Sequence, residues 1–208
     1  IKLLQDPSHR VKFFAAQSLG KLKNPGSAAA LIQLLRENKD RDRFLRHAAT
    51  FALGKVADRN DLINLKGDES SSVRLGAVLA LRHQRDSGIE DFLSDADPYI
   101  ATEAAIAIYD VPIDESLASL ASWMQKTEGR LPNGDLAPTP LLRRALHANN
   151  RFGTTADFDA LMKFILNSSG DLRLREEAAD LLAEWLAPNE FDALWNQSRT
   201  FPPRDLAS

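Results

Sequence analysis

The sequence predicts an all-helical chain made of stacked helix pairs, and three observations predict it. One outline returns along the chain, in "VKFFAAQSLG" (11–20), "LRHAATFALG" (45–54), "VRLGAVLALR" (73–82) and "LREEAADLLA" (174–183). Six segments can be aligned on a common last residue, at Gly20, Gly54, Arg82, Tyr109, Gly153 and Ala183, and five positions earlier each carries alanine: Ala15, Ala49, Ala77, Ala104, Ala148 and Ala178. Nothing alternates with a period of two over a useful length, so no strand is expected.

The elements follow in order from that alignment. Offsets of nine, five, two and one before the anchor fall on one stripe of a 3.6-residue helix, apolar at its edges and small at its centre. A small centre lets a neighbouring helix approach closely, which suits layer-on-layer stacking. Helices are therefore expected near 8–22, 42–56, 70–83, 97–110, 140–153 and 171–186. Shorter amphipathic helices are expected between and after them, at 27–38, 114–126, 155–167 and 189–198, with start signals at Thr154–Asp157 and at Pro188. The anchors stand 34, 28, 27, 44 and 30 residues apart. The long interval contains a Pro/Gly-interrupted loop insertion at 127–140. Helix pairs recurring at about 30 residues read as a right-handed α-α superhelix of about six pairs, one array over 1–208, in which the stack buries what a single repeat cannot.

The bulk properties limit the function. The formal charge of −3 argues against a nucleic-acid binder, which ordinarily carries a basic balance. Cysteine is absent, which removes disulfides, thiol nucleophiles and thiolate metal sites. No apolar run reaches the roughly 20 residues that cross a bilayer, so no membrane insertion is expected. There is no signal-peptide pattern, and a chain starting at Ile1 reads as a piece of something longer, truncated at its N-terminal side. On that reading Leu3, Leu4 and the Phe13–Phe14 pair have little cover, and another repeat or domain packs against them.

"DPSHRVKFFAAQSLG" (6–20) and "DESSSVRLGAVLALR" (68–82) follow a pattern close to D-x-x-P-x-V-R-x-x-A-A-x-A-L-G. They resemble the HEAT repeat in its short bacterial form, also seen in phycobilin-lyase-like proteins. A narrower resemblance rests on 93–121, "PLLRRALHANNRFG" (140–153), "LREEAADLLAEWLAP" (174–188) and "FPPRDLA" (201–207). These segments look like the HEAT region of large secreted bacterial proteins that carry a dehydrogenase-like β-propeller before it and a CxxCH haem domain after it. That resemblance implies a spacer in a periplasmic or secreted setting, with neighbouring domains of the same polypeptide as partners.

Several polar patterns are candidate sites. Asp6, Asp40, Asp68 and Asp95 stand fourteen positions before their anchors, and Lys12, Arg46, Arg74 and Arg175 stand eight before theirs. A row of cations could hold anions. Because the ladder carries both signs and tracks the repeat, it reads instead as structural, each Asp bracing a turn and each cation reaching the Asp of a neighbouring repeat. His9, His47, His83 and His147 belong to four repeats and lack metal-ligand spacing, so no metal, cofactor or catalytic residue is assigned. Trp123, Trp185 and Trp195 read as core rather than as a base-reading groove, and the Arg41/Arg43/Arg46 and Arg143/Arg144 clusters as solvated helix starts. The remaining pattern is apolar. Phe13, Phe51, Leu75, Leu79, Ile106 and Tyr109 lie opposite the Ala stripe and form a candidate protein-docking face, unless curvature buries them. The expected function is a non-enzymatic scaffold for protein or inter-domain docking. The alternative is a groove-based enzyme or ligand binder of the HEAT-like lyase or DNA glycosylase type.

Overall fold

In the computed structural model, which describes residues 1–167 and 171–201, the chain is all-α apart from one two-residue strand pair. The last segment of the narrower resemblance lies, beyond Phe201, outside the described residues. The chain divides into two compact units, Ile1–Phe92 and Leu93–Ser208.

In the first unit, α1 (His9–Leu22), α3 (Arg43–Val56) and α5 (Ser71–Gln84) are the repeated helices, α1 packing on α3 and α3 on α5. Helix α2 (Ala28–Asn38) lies against α3 and α5, while the short α4 (Arg59–Asn64) lies against α5. The small centre of the stripe makes the layer contact. Ala16, Ala48, Ala49, Ala52, Ala77 and Ala80 are buried, with Leu19, Leu53 and Leu81 filling the edges. The anchor glycines bring the helices closest: a Cβ on Gly20 would stand 2.9 Å from the Cα of Ala52, and one on Gly54 would stand 3.1 Å from the Ala80 carbonyl oxygen. Side chains cannot yield there, because the neighbouring atoms are backbone. The helix starts are built as local polar switches. Asp42 accepts from the Phe44 and Leu45 amides and Asp58 from the Asp61 amide, satisfying donors that a helix N-terminus leaves free.

In the second unit, α6 (Pro98–Asp110), α8 (Thr139–Phe152) and α10 (Leu172–Ala183) are the repeated helices, α6 packing on α8 and α8 on α10. Helix α7 (Leu117–Thr127) packs on α8 and α9, and α9 (Thr155–Leu166) on α8 and α10. Ala104, Ala105, Ala145, Ala148 and Ala178 continue the buried small stripe. The predicted start of α9 is a capping box, with Thr154 accepting from the Asp157 amide and the Asp157 carboxylate accepting from the Thr154 amide at 2.9 Å. The inserted loop between α7 and α8 is knitted together. Leu131 donates to the Asp135 carbonyl and Ala137 to the Gly129 carbonyl, both at 2.8 Å, and Leu131 and Ala137 are buried.

One predicted helix is absent. Residues 189–198, expected to be helical behind Pro188, form instead a tight antiparallel hairpin of β1 (Phe191–Asp192) and β2 (Gln197–Ser198). Asp192 is the reason. Its Oδ1 accepts from the Leu194 and Trp195 amides, and Asn196 takes a left-handed φ of 56° that turns the chain back. Burial of the turn's polar side chains then outweighs a helical apolar spacing.

Candidate functional site

The six residues proposed as a docking face do not make one exposed strip. Leu75 is 3% exposed and Tyr109 2%; Phe13, Leu79 and Ile106 are half-buried, and only Phe51 is exposed. Phe51 lies between His47, stacked at 6.3 Å, and His83, edge-on at 5.3 Å, with the Lys55 ammonium 5.5 Å over its ring. Burial, followed by the nearby His47, Arg82 and Lys55, holds His83 below the usual imidazole range.

Tyr109 is lost to the strip because the C-terminal hairpin covers it. Its hydroxyl donates to Asp192 Oδ2 at 2.6 Å, and Arg199 Nη2 donates to the Tyr109 carbonyl at 2.8 Å. The Arg199 guanidinium stacks over the Trp195 ring at 4.0 Å and the Tyr109 ring at 4.6 Å, while its Nε lies 3.4 Å from Asp192 Oδ2. Both members of that ion pair have side chains 4% exposed. Burial and then the Asp192 carboxylate push the Tyr109 phenol well above its ordinary range. The cluster is a buried clamp, and it sits where the sequence placed docking surface.

The exposed large apolar residues gather elsewhere. Ile1, Leu3, Phe14, Leu22, Phe44 and Phe51 are exposed within the first 54 residues, and Phe158, Leu166, Leu172, Leu186 and Phe191 from α9 onward; between them stands only Tyr99 among the described residues. The N-terminal group surrounds a groove of about 310 Å³ between α1 and the start of α3, walled by Phe13, Phe14, Phe44 and Leu45 and rimmed by His9, Arg10 and Asp42. Phe13 and Phe14 meet edge-to-face at 5.3 Å, and the Arg43 guanidinium lies 5.1 Å over Phe44. His9 Nδ1 is 3.0 Å from Asp42 Oδ2. The Leu45 and Phe44 amides, joined by His9, hold the Asp42 carboxyl below its usual range. Expected cover for Leu4 is unnecessary, since Leu4 is fully buried, whereas Leu3 and Phe14 are more than half exposed.

A larger cavity of about 540 Å³ lies between α7 and α9, with Met124, Ala160, Phe164 and Leu166 facing Gln125, Asp159 and Lys163. The groups with displaced pKa sit outside it. Among them is Glu177 of α10, which ties α8 to α10. Arg143 donates to both of its oxygens at 2.8–3.0 Å, and His147 Nε2 lies 2.8 Å from Oε1. Burial alone would raise this carboxyl, but the His147 and Arg143 bonds outweigh it and pull it to about 2. Among the described residues no group of three or more His, Asp or Glu is placed to hold a metal ion.

The ladder is local, and its partners differ from those expected. Asp6 accepts from the Ser8 amide, Asp95 from the Asp97 amide and Asp68 from the Ser70 amide, so each braces its own turn. The described bonds of three of the cations stay within or next to their own turn. Arg46 pairs with Asp40 six residues before it, Arg74 donates to the Asp68 carbonyl, and Arg175 to the Ile165 carbonyl. Lys12 has no carboxylate partner among the described residues. The bridge between layers comes from Arg36 of α2, which reaches Asp68 at 2.6 Å, and in the second unit from the Arg144 fork on Asp110. Phe14 is open, as expected of the Phe13–Phe14 pair, whereas the exposure of Leu22 and Phe44 was not expected. The register contained the signal: Phe14 and Leu22 stand where the next repeat carries the buried Ala48 and Val56.

A family model for HEAT repeats matches residues 1–54, about a quarter of the chain. No curated protein matches it. With helices that pack consecutively within each unit, the chain has a HEAT-type helical repeat fold, and such repeats serve as scaffolds for protein interaction. No described helix is long and apolar enough to cross a membrane.

Proposed function

We propose that the chain is a non-enzymatic scaffold that docks protein, including neighbouring domains of its own polypeptide, as a spacer segment of a larger bacterial protein in a periplasmic or secreted setting. The observation that carries the reading is the gathering of exposed large apolar side chains in the first 54 residues and from α9 onward, with Tyr99 alone between them among the described residues. Apolar area that a stacked fold leaves open at particular layers normally marks an interface. The setting rests on the family resemblance alone. Polar groups support the non-enzymatic part: Glu177, Arg143, His147, Tyr109, Asp192 and Arg199 hold helices and hairpin together by bonds among themselves.

A photo-reactive amino acid in place of Phe14 tests this in the native cell. The expected adduct joins position 14 to protein, either another segment of the same polypeptide or a second copy of it. Adducts only with nucleic acid or with a small metabolite would overturn the reading.

A further inference from the structure

The two exposed layers are built with opposite chemistry, and the repeat register says what each is shaped to receive. In α1 Arg10, Phe14, Ser18, Lys21 and Leu22 are all exposed, with Arg10 and Phe14 at the groove that opens toward the start of α3. One repeat on, the positions of Phe14, Ser18 and Leu22 are Ala48, Ala52 and Val56, which are buried, with Ala52 under Gly20. This side of a repeated helix is therefore the side on which a preceding repeated helix lies. In α10 the opposite side is open. Ala179 and Ala183 are exposed, although they occupy the positions of Ala16 and Gly20, which are buried in α1 against α3. That open small-residue stripe is framed by Leu172 and Leu186, exposed at 64% and 70%, and by the exposed carboxylates of Glu176, Asp180 and Glu184.

Charge makes the two faces complementary. Residues 1–54 contain 10 Lys/Arg against 4 Asp/Glu, a net of +6. All four acids are engaged locally: Asp6 by the Ser8 amide, Glu37 by the Gln33 side-chain amide, Asp40 by Arg46, and Asp42 by the α3 amides and His9. Arg10, Lys21, Arg41 and Arg43 have no carboxylate partner among the described residues. Residues 171–190 contain 6 Asp/Glu against 2 Lys/Arg, a net of −4. Of these acids Glu177 is engaged by Arg143 and His147, which leaves Glu176, Asp180 and Glu184 facing solvent.

We propose that the α10 face of one copy of this chain docks on the α1 face of a second copy, small stripe against Phe14 and Leu22, with Glu176, Asp180 and Glu184 opposite Arg10 and Lys21. The inference rests on the docking reading and names its partner. The contact uses a different patch on each copy, so it is heterologous and leaves each pair with one α1 face and one α10 face still open. Association then grows with concentration beyond a dimer unless the geometry closes a ring. It also weakens with salt, because exposed charges are screened over about 10 Å at 0.1 M ionic strength.

Sedimentation velocity on the 208-residue chain tests this, run from about 1 to about 200 µM at low and at high salt. The expected result is reversible association at low salt that recedes at high salt. Arg10→Glu with Lys21→Glu weakens it by about tenfold, as does Glu176→Lys with Glu184→Lys. Mixing the two doubly substituted chains restores association between them, which neither misfolding nor general stickiness would do. A chain that stays monomeric at every concentration in both salts overturns the proposal, as does association that the charge reversals leave unchanged. Monomeric behaviour together with the position-14 adduct described above would sink the self-docking alone and leave the scaffold reading standing.

Discussion

The first 92 residues and the remaining 116 use one packing device on two different electrostatic backgrounds. The first unit holds 16 Lys/Arg against 11 Asp/Glu, a net of +5; the second holds 10 against 18, a net of −8. In the first, anchor glycines let helices meet backbone to backbone, and polar side chains mostly brace their own turns. In the second, the anchors include Tyr109 and Ala183, the spacing widens to admit a folded loop, and forked ion pairs join α8 to α10 and to α6. The difference teaches that one small-residue stripe can be reinforced by polar contacts of different strength. The first unit adds single pairs such as Arg36–Asp68 and Arg59–Asp86. The second, where Ala104, Ala148 and Ala178 continue the stripe, adds the Arg143–Glu177 and Arg144–Asp110 forks and the Tyr109–Asp192–Arg199 clamp.

The largest expected effect breaks the clamp. Asp192→Ala leaves the Arg199 guanidinium buried without its carboxylate and the Tyr109 hydroxyl without its acceptor, which costs about 3–5 kcal/mol in chemical denaturation and releases the hairpin. Arg199→Met combined with Asp192→Asn should cost visibly less, since both charges are removed and neither is left buried alone. Equal losses in the two proteins would remove buried charge from the explanation.

Next comes the backbone contact of the first unit. Gly20→Ala sets a methyl 2.9 Å from the Ala52 Cα, so α1 and α3 must separate, with an expected loss of about 1–3 kcal/mol. Ala178→Leu, at a fully buried small position of the second unit, should overpack by a similar amount. If Ala178→Leu were neutral while Gly20→Ala was costly, the small stripe would matter in one unit and not in the other.

Glu177 gives a smaller, pH-dependent effect. Its pKa falls from an ordinary 4.5 to about 2 on folding, so its stabilisation is fully present above about 4.5 and is lost as the pH falls toward 2. After discounting for its partial exposure, about 1–2 kcal/mol should disappear over that window, and Glu177→Gln should flatten that part of the stability–pH curve. An unchanged curve would mean that the Arg143–Glu177–His147 contact contributes nothing net. The smallest effect is at a cap: Asp42→Ala should cost about 1 kcal/mol through the lost Phe44 and Leu45 amide bonds.

Much of this was legible in the sequence wherever the signal was local. Ala at a fixed register with apolar edges is a helical stripe whatever surrounds it, so α1, α3, α5, α6, α8 and α10 could be read directly. The Thr154–Asp157 capping box could be read for the same reason. The misreadings arose where a distant contact decides. "NEFDALWNQS" has helical apolar spacing, but Asp192 and Arg199 gain more by closing on Tyr109, some eighty to ninety residues away, than a short helix would return. Tyr109 therefore left the predicted docking face for the interior. Arg36 was invisible as the partner of Asp68 because it lies on the intervening helix, outside the register that defined the ladder. Leu22 was visible only by asking which buried valine it replaces.

The central claim is that helices are held chiefly by the layers on either side of them. Amide hydrogen exchange on the dilute, monomeric chain tests it most directly. Helix α3 lies between α1 and α5, and α8 between α6 and α10, whereas α1 and α10 each leave the corresponding face open. The account predicts the slowest exchange in α3 and α8 and markedly faster exchange in α1 and α10. Protection in α1 and α10 equal to that in α3 and α8 would contradict it.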